Sequence, residues 1–252
     1  IKPAASVVSA RQSPEALAAI QRAVDLTEST LVVDGDGFAL ESTTLAVGGQ
    51  VIDVRGIAGR YRDLFLPLFG DHQARNAAVA IVAVESLLGS GSQPIDHDVL
   101  AEGLATATSP GRLQILGTDP TVLVDAAHNP HGARALAASL DTYFDFQELA
   151  VVLGILEDKD GRGIVEALVP HAARLYVTQS HSDRAIPADA LAEQVDEWAH
   201  DAQRLERDTL EAALADAREW AAAEPGRAVL VTGSITLVGQ AVELATEQGW
   251  KR

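Results

Sequence analysis

The 252-residue sequence contains no cysteine, no methionine and only three lysines, Lys2, Lys159 and Lys251. Without cysteine there is no disulfide and no thiolate metal site. Without methionine, Ile1 is not expected to be a translation start, and Ile1-Lys2-Pro3 reads as if cut from something longer. Chemistry that needs an ammonium has few candidates, and Lys159 is the one lysine deep inside the chain. Positive charge is scarce altogether: 19 Lys and Arg face 36 Asp and Glu, for a formal charge of −17. That balance argues against nucleic acid, whose phosphates require clustered Lys and Arg, and against an anionic membrane surface. No apolar run approaches the roughly 18 residues of a spanning helix, and no signal peptide opens the chain. A cytoplasmic protein with neither membrane nor nucleic-acid partners is expected. What is plentiful is apolar surface, at 47% of residues, enough for one large domain or two ordinary ones.

The first hundred residues mix short elements. Ser6 to Ala10 reads as a strand, and Ser13 caps a helix with Pro14 in its first turn, running to Leu26. Alternating runs follow at Thr30–Val33, Phe38–Glu41, Thr44–Val47 and Gln50–Val54, with Gly48-Gly49 as a hairpin signal. Tyr61 to Leu68 is a further strand broken by Pro67. Gly70-Asp71-His72-Gln73 leads into an apolar helix, Ala74–Leu88, with Arg75 and Asn76 on its first turns. Gly89 to Pro94 is a linker by composition, and Asp96 to Thr106 is another helix.

Ser109-Pro110-Gly111-Arg112 marks a boundary, dividing residues 1–108 from 109–252. Beyond it strands and helices alternate: Thr121–Val124, a helix from Pro130, Leu149–Leu156, Ile164–His171, Arg174–Gln179, Pro187–His200, Arg204–Glu206, Asp208–Ala223, Ala228–Val231 and Ser234–Gln248. That order predicts an α/β unit with a mostly parallel sheet covered by helices on both faces. Ligands in such folds sit beyond the carboxyl ends of the strands. The residues following those strands are Asp125 with His128, Asp158-Lys159-Asp160, Ser180-His181-Ser182 and Thr232-Gly233-Ser234.

Thr121 to Gly132 is the stretch around which the chain is organised. A β-branched strand delivers Asp125, and Asn129 caps a helix whose first turn holds Pro130. Free N–H groups at that helix start favour an anion. The spacing Asp125, His128, His131 admits a metal site, a capping role, or contact with a phosphate, and the open helix start favours the last. Lys159, between two acids, is either a solvated loop residue or a functional cation. Arg112 is a hinge residue or a ligand contact, and Asn76 a surface residue or a ligand contact. Val229 to Ser234 resembles the Thr-Gly turn of short-chain dehydrogenases, but it closes the domain instead of opening it and lacks the following close glycines.

Together, Leu68-Phe-Gly-Asp-His-Gln-Ala-Arg-Asn76, Ser109-Pro-Gly-Arg-Leu-Gln114, Val124-Asp-Ala-Ala-His-Asn-Pro-His-Gly132, Gly154-Ile-Leu-Glu-Asp-Lys-Asp160 and Val231-Thr-Gly-Ser234 resemble the bacterial folylpolyglutamate synthase/dihydrofolate synthase group of Mur ligases. The resemblance implies the end of a Mur-ligase central domain up to Thr108, then a Rossmann-like carboxyl-terminal domain. It implies ATP-dependent joining of L-glutamate to folate or dihydropteroate through an acyl phosphate, with Mg2+ as cofactor. Asn76, Arg112 and Asp125 match nucleotide contacts, the last of them to the ribose. His128 matches a histidine near the terminal phosphate, and Lys159 and Ser234 match the pocket of the incoming glutamate. No metal ligand is assigned here.

The phosphate-cradling loop G-x-x-x-x-G-K-[ST] is absent from these residues. The chain therefore looks like the carboxyl-terminal part of such an enzyme, inactive alone, and monomeric or paired with its own amino-terminal part. A cell-wall Mur ligase and a non-catalytic binding module with the same fold are the alternatives.

Overall fold

The computed structural model describes residues 1–250, the side chain of Ser90 excepted. It divides into two compact units, one ending at Thr108 and the other starting at Ser109.

The first unit opens with β1 (Ser6–Ser9), α1 (Pro14–Leu26) and β2 (Thr30–Val33). β1 and β2 pair in parallel, Ser6 opposite Thr30 through Ser9 opposite Val33. Ser13 caps α1 by accepting the Ala16 N–H, as the Ser-Pro signal predicts. An antiparallel sheet follows, made of β3 (Ala39–Ala46), β4 (Gly49–Arg55) and β5 (Arg60–Leu66). The two runs expected at 38–41 and 44–47 are one strand, β3, whose register slips between Leu40 and Ser42. That bulge breaks the alternation and so mimics a strand boundary in the sequence. Pro67 ends β5, having no N–H to give a ladder.

α2 (Asp71–Leu87) lies against β1, β3 and β4. It starts three residues before the expected Ala74, because Asp71 in the first turn complements the helix dipole. Its buried stripe of Ala74, Ala77, Ala78, Ile81 and Val82 meets Phe38, Ile52, Val54 and Leu64 of the sheet. At its far end the fully buried Glu85 accepts N–H bonds from Ile57, Ala58 and Gly59 and the hydroxyl of Tyr61 at 2.7 Å. One carboxylate thus fastens the β4–β5 turn to the helix. Burial and this bond push the Tyr61 hydroxyl up to about 12. α3 (His97–Ala105), capped by Asp96, closes the unit against β5.

The second unit is a six-stranded sheet among the described residues, built from β6 (Gln114–Thr118), β7 (Thr121–Asp125), β8 (Glu148–Leu153), β9 (Arg174–Val177), β10 (Arg204–Glu206) and β11 (Arg227–Thr232). The spatial order is β10-β9-β8-β11-β7-β6, with only β6 antiparallel. β6 was not expected. Its register slips between Ile115 and Gly117, leaving Leu116 out of the pairing, so the segment shows no clean alternation. The helices are α4 (Pro130–Tyr143), α5 (Gly161–Leu168), α6 (Ala188–Trp198), α7 (Leu210–Ala222) and α8 (Ile235–Glu247).

Val122, Val124, Ala150, Val152, Val229 and Val231 share one core with Leu214, Trp220, Leu237 and Ala241 of α7 and α8. Alternate residues point to the opposite face, and Leu123, Val151 and Leu230 there are also fully buried. Burial on both faces needs a second helical layer, which α4, α5 and α6 supply as a packed series. No helix among the described residues is long and apolar enough to cross a membrane.

Candidate functional site

In the second unit the parallel register sets Asp125 opposite Thr232, Thr232 opposite Leu153, and Leu153 opposite Val177. The segments 125–130, 154–160, 178–187 and 232–234 therefore leave the sheet at one edge, the carboxyl ends of its parallel strands. β7 connects to β8 across β11, and the later strands continue outward, so the edge includes a point where strand order reverses.

Asp125 is 5% exposed. Its Oδ2 accepts the Leu113 N–H and its Oδ1 the Ala127 N–H, each at 2.8 Å. The next peptide reinforces the link: Ala126 N donates to Gly111 O at 2.7 Å. The Pro110-Gly111-Arg112-Leu113 loop is thereby tied to the end of β7. Gly111 and Leu113 both have positive φ, +71° and +41°, and Arg112 projects between them with an exposed side chain. A leucine in that region is strained by about 1–2 kcal/mol, which the Asp125 bond opposes. The carboxylate expected to touch a ribose thus also shapes the loop that carries Arg112.

His128 is half-buried, and its Nδ1 lies 2.8 Å from Ala126 O. A carbonyl only accepts, so Nδ1 carries the hydrogen and Nε2 is left for another partner. Asn129 Oδ1 caps α4 through the Gly132 N–H at 2.8 Å, with Pro130 in the first turn, as the sequence indicates. His131 is exposed. Among the described residues no group of three or more His, Asp or Glu side chains could hold a metal ion.

α5 starts three residues earlier than expected, at Gly161, because Asp160 caps it through the Gly163 N–H. Gly163 packs against the start of α4: a Cβ there would sit 2.5 Å from Pro130 Cγ. Glycine at this position lets the His128 and Lys159 segments lie side by side. Lys159 Nζ pairs with Asp158 Oδ2 at 2.8 Å, and Arg184 Nη2 reaches Asp158 Oδ1 at 2.6 Å. These two cations hold the Asp158 carboxyl down at about 2. Beside them opens a cleft of about 640 Å³, lined by Lys159, Arg162, Ile186, Gln194 and Trp198 among others.

Ser234 is completely buried, and its hydroxyl caps α8 by accepting the Leu237 N–H. It also meets Thr236 Oγ1 at 3.2 Å, which in turn meets Ser180 Oγ at 2.9 Å. The position implied for glutamate is thus, in this chain, a helix cap at the head of a hydroxyl chain. Asn76 lies in the first unit, exposed on the second turn of α2, with its Nδ2 3.5 Å from Gln73 Oε1. Arg184, Gln194 and Trp198 were not singled out from the sequence. An arginine after a strand and polar residues at helical spacing carry no motif by themselves.

Residues 111–235 match the model of the Mur ligase glutamate ligase domain. The carboxyl-terminal unit belongs to the Mur ligase family. Along 92% of the chain the sequence is 38% identical to the dihydrofolate synthase/folylpolyglutamate synthase of Mycobacterium tuberculosis, covering 50% of that protein. It is 30% identical to the folylpolyglutamate synthase of Lacticaseibacillus casei over 94% of the chain and 53% of the relative. The M. tuberculosis folylpolyglutamate synthase complexed with ADP superposes on 95% of the chain with a TM-score of 0.89 at 37% identity, covering 55% of that structure. The chain spans about half the length of these relatives.

Proposed function

We propose that these residues are the nucleotide- and amino-acid-handling part of an ATP-dependent ligase that joins L-glutamate to folate or dihydropteroate. The observation that carries this reading is the convergence of Arg112, Asp125, His128 and Lys159 on one sheet edge of a glutamate ligase domain. Transfer of a phosphoryl group from ATP to the substrate carboxylate gives an acyl phosphate and ADP. The glutamate amine then attacks the acyl carbon, the new amide forms, and phosphate leaves.

Stabilising such a transfer is mainly electrostatic. Arg112 supplies a permanent cation on an exposed, backbone-fixed loop. With hydrogens on both ring nitrogens, His128 can donate Nε2–H to the terminal phosphate while the Ala126 carbonyl orients the ring through Nδ1–H. The start of α4 turns the positive end of its helix dipole toward the same edge, with the Gly132 and Ala133 N–H groups already held by Asn129. Asp125 contacts the ribose, Asn76 the nucleotide and Lys159 the incoming glutamate, with the fully buried Ser234 supporting that pocket through its cap on α8. The phosphate-cradling loop and the magnesium ligands come from a polypeptide other than these residues. Folate is preferred to a cell-wall precursor because relatives matched along more than nine-tenths of the chain are named for folate synthesis.

The test assays ATP- and glutamate-dependent product from residues 1–252 alone and joined to the amino-terminal half of the M. tuberculosis relative. Product is expected only from the joined protein. A joined protein that folds, binds ATP and makes no product would support the binding-module alternative, and product from the 252 residues alone would overturn the division of labour.

A further inference from the structure

Lys159 and Arg184 converge on one carboxylate, and it belongs to the chain itself. Asp158 Oδ2 receives Lys159 Nζ at 2.8 Å and Oδ1 receives Arg184 Nη2 at 2.6 Å. One cation on each oxygen is how a bound carboxylate is recognised.

The walls of this seat are joined independently of Asp158. Glu157 N donates to Arg184 O and Ile186 N to Ile155 O, both at 2.9 Å, and Leu156 bridges Ala185. The segments after β8 and β9 are therefore stitched by main chain, so the two cations stay near each other whatever occupies the space between them. Asp158 is nearly half exposed, at 48% of its side chain, and exposed ion pairs add little to a fold. In a chain with a net charge of −17 and three lysines, pairing its one interior lysine with an arginine beside an open cleft is a costly arrangement for stability alone.

We propose that Asp158 is an internal stand-in for a ligand carboxylate, occupying a seat built by Lys159 and Arg184 from which a small dicarboxylic amino acid displaces it. Naming that ligand as L-glutamate rests on the ligase reading above; the seat does not. Because the cations keep Asp158 ionised far below neutral pH, it competes with the ligand throughout the physiological range. Arg184 becomes a binding residue of the amino-acid pocket, and Asp158 sets how tightly that pocket holds its ligand.

The test titrates the full 252-residue chain with L-glutamate by heteronuclear NMR in a low-chloride buffer, since salt screens the exposed cations. Asp158→Asn, with Asp158→Ser as a second variant, is expected to tighten binding tenfold or more. Lys159→Gln or Arg184→Gln in the Asp158→Asn background is expected to remove that gain. Unchanged or weaker binding by both Asp158 variants, with their spectra still folded, would overturn the proposal. Glutarate and pteroylglutamate are titrated in parallel. If glutarate gains as much as L-glutamate, the seat stands as a general carboxylate site, and the assignment of L-glutamate, together with the ligase reading behind it, loses support. If neither gains, the seat falls and the ligase reading stands on its other residues.

Discussion

Removing the Asp125 carboxylate should loosen the Arg112 loop. In Asp125→Ala the N–H groups of Leu113 and Ala127 lose acceptors at 2.8 Å in a site only 5% exposed. A hydrogen bond to a charged group contributes about 1.5–3 kcal/mol, so the pair is worth about 3–6 kcal/mol before any water enters. Relaxation of Leu113 from φ +41° returns about 1–2 kcal/mol of backbone strain. The net expected cost is about 2–4 kcal/mol, a large share of a typical stability of about 5–15 kcal/mol. Asp125→Asn keeps one acceptor and turns an amide donor toward the other N–H, so about half that loss is expected.

The assay is amide hydrogen exchange of the 252-residue chain. With two compact units, one global unfolding free energy is poorly defined, whereas exchange reads each amide separately. Protection at Leu113 and Ala127 should fall by about thirty- to a thousandfold in Asp125→Ala, at about 1.4 kcal/mol per factor of ten. Amides of β4 in the first unit should be unaffected. Undiminished protection at Leu113 in a folded Asp125→Ala protein would refute the link between this carboxylate and the Arg112 loop.

Two further outcomes are expected. In the joined ligase, His128→Ala should lower turnover on the order of a hundredfold, the size of one well-placed transition-state donor, with ATP affinity changed far less. His131→Ala, at an exposed position, should leave turnover near wild type; equal damage from both histidines, with loss of a bound metal, would restore the metal reading. Tyr61 should ionise near 12, seen as a tyrosinate absorbance step that Tyr61→Phe abolishes. Its folded pKa lies above the unfolded value of 10.0, so its contribution to stability is complete below pH 10 and is lost as pH rises toward 12. A first unit whose stability stays flat across that window would contradict the Tyr61–Glu85 bond.

Most elements were legible because local signals agreed with tertiary structure. Ser13-Pro14, Asp96 and Asn129-Pro130 all cap the helices they announce. The failures have physical causes. β3 reads as two strands because a bulge breaks its alternation, and β6 is invisible because a register slip at Leu116 interrupts it and its pairing depends on β7. α2 and α5 begin early because Asp71 and Asp160 act at their starts, where sequence periodicity has not yet begun. Glu85 was unreadable: its four partners lie 24 to 28 residues away, and nothing local distinguishes it from a solvated helix glutamate.

The site was legible to a different degree. Position along a parallel strand can be read, because every such strand ends at the same edge; that is why Asp125, Lys159 and Ser234 group together from the sequence alone. What a polar side chain does there is decided by its nearest unsatisfied neighbour, and that neighbour is set by loop geometry. Asp125 finds the N–H of a strained leucine twelve residues earlier, Ser234 the start of its own helix, and Asp158 two cations on different loops. Two of these carboxylates place a cation: Asp125 holds the loop that carries the exposed Arg112, and Asp158 pairs directly with the half-buried Lys159 and the exposed Arg184. In so acidic a chain the placement of few cations is the scarce resource, and at this edge buried or bridging carboxylates fix where those cations lie.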